Sequence, residues 1–283
     1  MNAPFDAPPS VPVGTGMSIY DPILIGIDEY GLPVHLPLIY HNILIGGEPG
    51  AGKSMLLHNI VGYAAMCDDC DLVLIDGKQV DLGLWRGSAA EFVGPDLDHA
   101  IYTLERVQGV LDLRNSYLLD QRRQKIERGD GMRPLLLAID ELAYYAATVG
   151  TKIEQEYFSA LNRDVAARGR AVAVIDVSAT QRPSSDIIPT SLRFLFGWRF
   201  AGRCVDDSSS DVVLGHGWAG RGYSAAKIDP KNRGEGLLLA EDGIPTRVKG
   251  AFLTNANLLR VADYAAAKRR EARDTPPNLR AVA

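Results

Sequence analysis

Residues 41–54 read HNILIGGEPGAGKS, and the reading of this stretch decides the fold. An apolar run, 41–46, enters a glycine-rich octapeptide that satisfies GxxxxGK[ST] in full. The segment after it, 53–66, carries Met55, Leu56, Ile60 and Ala64 at helical spacing. Strand, loop and helix in that order are the context in which the octapeptide works as a phosphate loop and not as an incidental glycine-rich turn. The glycines let the backbone wrap around phosphate with its N–H groups pointing inward, and the helix that follows offers its positive end. Gly47, Glu48, Pro49, Gly50, Ala51, Gly52, Lys53 and Ser54 are therefore assigned to a nucleotide, with ATP and Mg²⁺ as the expected cofactors. Lys53 is expected to reach the β- and γ-phosphates, and the Ser54 hydroxyl to ligate the metal.

Working outward, the next informative stretch is 135–141, LLLAIDE. A buried strand here would deliver Asp140 to the sheet edge as a second metal ligand. Glu141 beside it is placed to activate the attacking water as general base. Two acids at this point also suit a helix N-cap; the phosphate loop upstream and the apolar strand leading in favour the catalytic reading. The third element is 178–183, SATQRP, at the end of the following strand. In P-loop ATPases with an extra strand between the phosphate-loop and acidic strands, a polar residue at that strand's tip contacts the γ-phosphate. Gln181, or Thr180 beside it, would fill that position. Arginines gather at 163, 168, 170, 182 and 193. A neighbouring subunit often supplies an arginine to phosphoryl transfer, and Arg168, Arg170 and Arg193 are the candidates. Arg170 joins Lys53, Glu141 and Gln181 in the expected catalytic set. Asp186 and His216 have no supporting neighbours.

The rest of the chain fits one architecture. Two short strands are expected within 22–38 around the turn at 29–31, a strand at 72–75 ending in Asp76-Gly77-Lys78, and a long helix over 97–127. A helix over 153–167, strands at 171–178 and 194–200, and a C-terminal helix over 258–273 follow. Short apolar strands alternating with helices predict an α/β fold, a mainly parallel sheet with helices on both faces, and ligands beyond the strands' carboxyl ends. Residues 1–16 read as a disordered lead-in, 17–255 as the ATPase domain, and 256–283 as a helix with a disordered tail.

Composition sets the outer limits. With 46% hydrophobic and 23% charged residues over 283 positions, the chain has ample material for an α/β core. No stretch approaches the roughly 18 apolar residues of a membrane span, and the proline-rich N-terminus lacks a signal-peptide pattern; the expected location is the cytoplasm. A net charge of −5 excludes coating nucleic acid by bulk charge. Cys67 and Cys70 form a lone CxxC at a helix end among aspartates, which reads as reduced thiols and not as a zinc or redox pair.

Taken in order, these segments resemble the FtsK/SpoIIIE DNA translocases, particularly their short plasmid-transfer relatives in actinomycetes. The resemblance runs from about Pro22 to Phe252. It rests on 24–34 (LIGIDEYGLPV), 41–54, 72–78 (LVLIDGK), 114–117 (RNSY), 137–142 (LAIDEL), 167–183 (ARGRAVAVIDVSATQRP), 188–193 (IPTSLR) and 214–217 (LGHG). The ATQRP ending is the most specific of them. The resemblance implies a RecA-like P-loop motor domain, a homo-hexameric ring with ATP between subunits, and double-stranded DNA pumped through the pore. Lys53, Ser54, Asp140, Glu141 and Gln181 match the ATP-handling positions. No membrane-spanning region and no winged helix is recognisable, so attachment at a membrane would need an anchored partner.

Overall fold

The apolar runs become strands of a single ten-stranded sheet in a computed structural model that describes residues 16–241 and 243–274. The lead-in before Gly16 and the tail after Asp274, both expected to be disordered, lie outside the described residues. In chain order, β1 (Ile23–Asp28) and β2 (Pro33–Leu36) form a hairpin. Its turn is fixed by the Asp28 carboxylate, which accepts from the N–H groups of Tyr30 and Leu32. β3 (Ile43–Gly46) leads into α1 (Lys53–Met66), and β4 (Asp71–Ile75) and β5 (Glu91–Val93) follow. Next come α2 (Leu97–Asp120), β6 (Leu135–Ile139), α3 (Leu142–Ala147), α4 (Lys152–Arg168) and β7 (Val174–Thr180). The chain continues with α5 (Thr190–Arg193), β8 (Trp198–Gly202), α6 (Asp207–Leu214), β9 (Glu235–Leu239), β10 (Thr246–Gly250) and α7 (Asn255–Asp274).

The strand order is β2-β1-β10-β9-β8-β3-β7-β6-β4-β5. From β8 to β5 every pair is parallel, and from β8 back to β2 every pair is antiparallel. The parallel half bears out the α/β expectation, and β7 is the extra strand between β3 and β6. β3 and β7 are buried at every position, as strands covered on both faces are. Buried polar residues fix their alignment. Asn42 donates to the Ala166 and Leu195 carbonyls and accepts from the Asp176 N–H. Arg114, on α2, donates to the carbonyls of Val172, Ala173 and Arg133, pinning the helix to the entries of β6 and β7.

Several boundaries differ from the sequence reading, three of them for local reasons. α2 stops at Asp120, not 127, because Arg122 turns left-handed at φ 53° and Asp130 then gathers Arg123 and the Glu127 N–H into a loop. β7 begins at Val174, since Ala173 is left-handed at φ 57° and 170–172 form a single 3₁₀ turn. Residues 194–196, apolar enough to read as strand, close α5 instead, and β8 starts at Trp198.

α7 begins three residues before the expected position and packs across α1 and the 3₁₀ turn Leu82–Ser88. Its Arg269 donates to the carbonyls of Ala64, Ala65, Cys67 and Cys70, at the α1 C-terminus and in the turn that follows it. Lys268 adds a bond to the Met66 carbonyl. Cys67 and Cys70 are free and buried. Burial raises both thiols, that of Cys70 to about 12, so neither has thiolate character.

Arg269→Ala strips four carbonyls of a charged donor. It is expected to destabilise the chain by about 2–4 kcal/mol, read as a lower urea midpoint at unchanged slope, with Arg269→Lys recovering part of the loss.

Candidate nucleotide site

The carboxyl ends of β3, β7 and β6 carry the chemistry-bearing residues. Gly46 is in register with Thr180 across β3 and β7, and Ile139 with Ser178 across β6 and β7. The phosphate loop, the acidic pair and the Gln181 turn therefore leave the sheet side by side. In the loop, Gly47, Gly50 and Gly52 hold φ of 148°, 80° and 93°, a region open to glycine and strained for side chains. A Cβ at Gly52 would stand 2.4 Å from the Gly234 Cα, so the loop rests directly on the backbone entering β9. Glu48 is tied down by its N–H to the Arg203 carbonyl at 2.8 Å and by an ion pair with the Arg203 guanidinium. Lys53, the first residue of α1, is buried, and its Nζ donates to the Glu48 carbonyl at 2.9 Å. Burial lowers its pKa to about 8, opposed by the charges of Glu141 and Asp140. Ser54 follows on the first turn of a helix whose N-terminal N–H groups receive no side-chain cap.

Asp140 is buried, and its Oδ2 has no hydrogen-bond partner among the described residues. Desolvation, then the charges of Asp81 and Asp76, raise its pKa to about 7, while Lys78 pulls it down. Asp76 was missed as a site-building residue. It is fully buried, and its carboxylate accepts from the N–H groups of Lys78, Gln79 and Leu82 at 2.8–2.9 Å. This bends the chain after β4 so that Lys78 and Asp81 come near Asp140. Its place after an apolar strand, within the 72–78 segment (LVLIDGK), was the signal.

Glu141 takes the helix N-cap position that the sequence also allowed. It is the N-cap of α3, accepting from the Ala143 N–H at 3.3 Å. It also accepts from the Thr180 hydroxyl at 2.6 Å and from the Gln181 N–H at 3.0 and 3.2 Å. Thr180 is thereby committed to Glu141, which leaves the Gln181 side chain as the polar group of this turn that lines the cavity.

That cavity, about 540 Å³, opens beside the phosphate loop. Pro49, Gly50, residues 52–56 and Gln181 form one side; Ile25, Phe200, Val248 and Phe252 supply an apolar wall, with Arg233 beside them. A phosphate cradle continuous with an apolar wall suits a nucleotide, phosphates at one end and base at the other. The sequence reading did not find this wall, which comes from the antiparallel half of the sheet. The residues also fit the expected metal. The orphaned Asp140 oxygen and the Ser54 hydroxyl form an all-oxygen donor pair, and Mg²⁺ is usually held by one or two protein oxygens together with substrate phosphates.

The arginines are not gathered here. Arg170 lies before β7, at the other end of the strand, bonded to the Tyr40 carbonyl and paired with Glu241. Arg168 is held by Asp164 and Asp112. Arg182 pairs with Asp186. Arg193 is buried and donates to the Asp211 and Val212 carbonyls.

The buried acid has a measurable consequence. Asp140 holds its proton more tightly folded than unfolded, where an aspartate titrates near 4. Its contribution is therefore favourable at low pH and is lost as pH rises from about 4 through about 7. Asp140→Asn is expected to raise the thermal midpoint of the ligand-free, Mg²⁺-free protein more at pH 8 than at pH 5; equal effects at both would show an ordinary carboxyl.

No protein-family model matches the chain. It is 25% identical over 261 residues to the DNA translocase FtsK of Staphylococcus aureus, an alignment covering 85% of this chain and 32% of the relative; the chain spans about a third of the length of such curated relatives. Among solved structures, the pCW3 conjugation coupling protein TcpA, determined as a monomer with ATPγS, superposes with a TM-score of 0.74 at 17% identity. That match covers 93% of this chain and 72% of TcpA. ATPases 2 and 3 of EssC from Geobacillus thermodenitrificans give 0.72 at 15% identity, covering 93% and 51%. The fold is that of P-loop ATPases, and in sequence the chain is similar to the DNA translocase FtsK.

Proposed function

We propose that this chain is the motor of an ATP-driven double-stranded DNA translocase of the FtsK/SpoIIIE type. It would serve conjugative transfer of a plasmid or integrated element, or chromosome partitioning. The observation that carries the reading is one sheet edge on which Lys53, Ser54, Asp140, Glu141 and Gln181 converge beside a nucleotide-sized cavity, in a chain similar to FtsK.

In this reading the backbone of 47–54 cradles the phosphates of ATP, and Lys53 exchanges its bond to the Glu48 carbonyl for the β- and γ-phosphates. Ser54 and Asp140 hold Mg²⁺, which when bound neutralises charge on the phosphate oxygens. Glu141, oriented by Thr180 and the Gln181 N–H, takes the proton of the attacking water. Gln181 directs its amide to the γ-phosphate. The half-exposed pair of Arg170 with Glu241 is weak enough to exchange for a neighbour's nucleotide, which keeps Arg170 as the arginine offered in trans within a homo-hexamer. A ring repeats a few basic loops six times, so that a protomer of formal charge −5 can still line a channel for duplex DNA. Among the described residues no helix is long and apolar enough to cross a membrane; the proposed location is cytoplasmic, peripheral at the membrane through an anchored partner.

The purified protein is expected to hydrolyse ATP faster with duplex DNA present. Lys53→Ala and Glu141→Gln should each reduce that rate by at least about 100-fold. Hydrolysis indifferent to duplex DNA but raised by a secreted protein would move the assignment to a protein-export motor, a reading the EssC-like fold accommodates. ATP-dependent triplex displacement separates a translocase from a regulator that only binds ATP and DNA.

A further inference from the structure

Near the start of β8, beneath the last turn of α6, stand two arginines that form no ion pair among the described residues; the Asp211 charge offsets only part of the burial of Arg193. Arg193 is 7% exposed, and its only hydrogen bonds among the described residues are long ones from Nη1 to the Asp211 and Val212 carbonyls, at 3.5 and 3.4 Å. Arg199 is half-buried and makes no hydrogen bond or ion pair among the described residues. The Nε of each is buried and unpartnered. Both guanidiniums lie on the segment 211–215: Arg193 reaches its first carbonyls, and a Cβ added to Gly215 would stand 3.4 Å from Arg199 Nη1. The Asp211 carboxylate is committed to the N–H groups of Gly217 and Ala219 at 2.7 and 2.8 Å.

The arrangement is unusual in its chemistry. Buried polar groups are normally satisfied, and buried charges are normally paired. Here two cations sit side by side, and every unsatisfied atom named is a donor. Burial, and then repulsion from Arg193, pull the Arg199 pKa down, the direction expected of a cation lacking a counter-charge. The carbonyl end of α6 supplies a partial negative charge, enough for one guanidinium and already used by Arg193. What the pair lacks is an acceptor that is anionic and can engage two planar forks, which a phosphate group does with three oxygens and up to two charges.

We propose that Arg193 and Arg199 form a second anion site, separate from the phosphate loop, that binds a phosphate-class oxyanion. Arg199 supplies the free guanidinium fork, and Arg193, held by α6, supplies the second charge. Gly215, at φ 125°, lies beside the Arg199 fork. The phosphate comes either from solution or from the backbone of a nucleic acid. The site does not depend on the nucleotide reading, since none of its residues touches the cavity beside Lys53.

The test uses the full chain with Lys53→Ala, to suppress phosphate binding at the loop, and compares it with the same chain carrying Arg199→Gln. Thermal unfolding is followed without phosphate, with inorganic phosphate, and with a short DNA duplex. The expected result is a phosphate-dependent rise in the midpoint that Arg199→Gln weakens by about tenfold or more in phosphate concentration. Without phosphate, Arg199→Gln should unfold no lower than its parent, because it removes an unpaired buried charge. Competition by the duplex assigns the phosphate to a nucleic-acid backbone, and protection by phosphate without such competition assigns it to the free ion. Equal protection of both proteins, protection of neither, or a lower midpoint for Arg199→Gln without phosphate overturns the proposal.

Discussion

The hydrogen-bond register of β3, β7 and β6 is the constraint on which the site depends. Pairing Gly46 with Thr180 and Ile139 with Ser178 fixes where three separate turns begin. Because strand side chains alternate, a slip of one residue in β7 would send Thr180 to the other face of the sheet and remove its hydroxyl from Glu141. The buried side chains that hold this register, Asn42 and Arg114, bond backbone groups of several elements each. Their work is architectural, yet the placement of Glu141 follows from it.

The second constraint is electrostatic. A low-dielectric sheet edge holds an ammonium and two carboxylates within mutual influence, and burial opposes the charged form of both Lys53 and Asp140. An arrangement that costs stability in the isolated protein is favourable for binding, because a ligand carrying both negative phosphates and a cation satisfies the two groups together. The Glu141 carboxylate is hydrogen-bonded by a hydroxyl and backbone N–H groups.

Much of this was legible in the sequence because its signals are local. Glycine spacing around Lys53, the apolar run before Asp140 and the polar turn after the next strand each announce themselves within ten residues. The choice between Thr180 and Gln181 was not legible, since it depends on which group the Glu141 carboxylate meets. Nor was the apolar wall of the cavity, where Ile25 and Val248 come from opposite ends of the chain and meet only because β1 pairs with β10. Arg168, Arg170 and Arg193 looked alike as charges in a row. Space separates them into a surface network with Asp164 and Asp112, an exposed pair with Glu241, and a buried cation under α6. The end of α2 was misplaced for a related reason: helical periodicity says nothing of Asp130, which draws the chain away from the helix axis.

The attachments of α1 carry one more implication. The helix begins at Lys53, and within two turns it is bound to the strand end that walls the cavity. Asn59 donates to the Ala251 carbonyl, and the Met55 sulfur accepts from the Leu253 N–H. Cradle and wall are thus joined through one rigid rod and cannot drift apart independently. For the nucleotide proposed above, the site would act as a fixed-span gauge, in which a ligand that reaches only the cradle or only the wall forfeits part of its contacts.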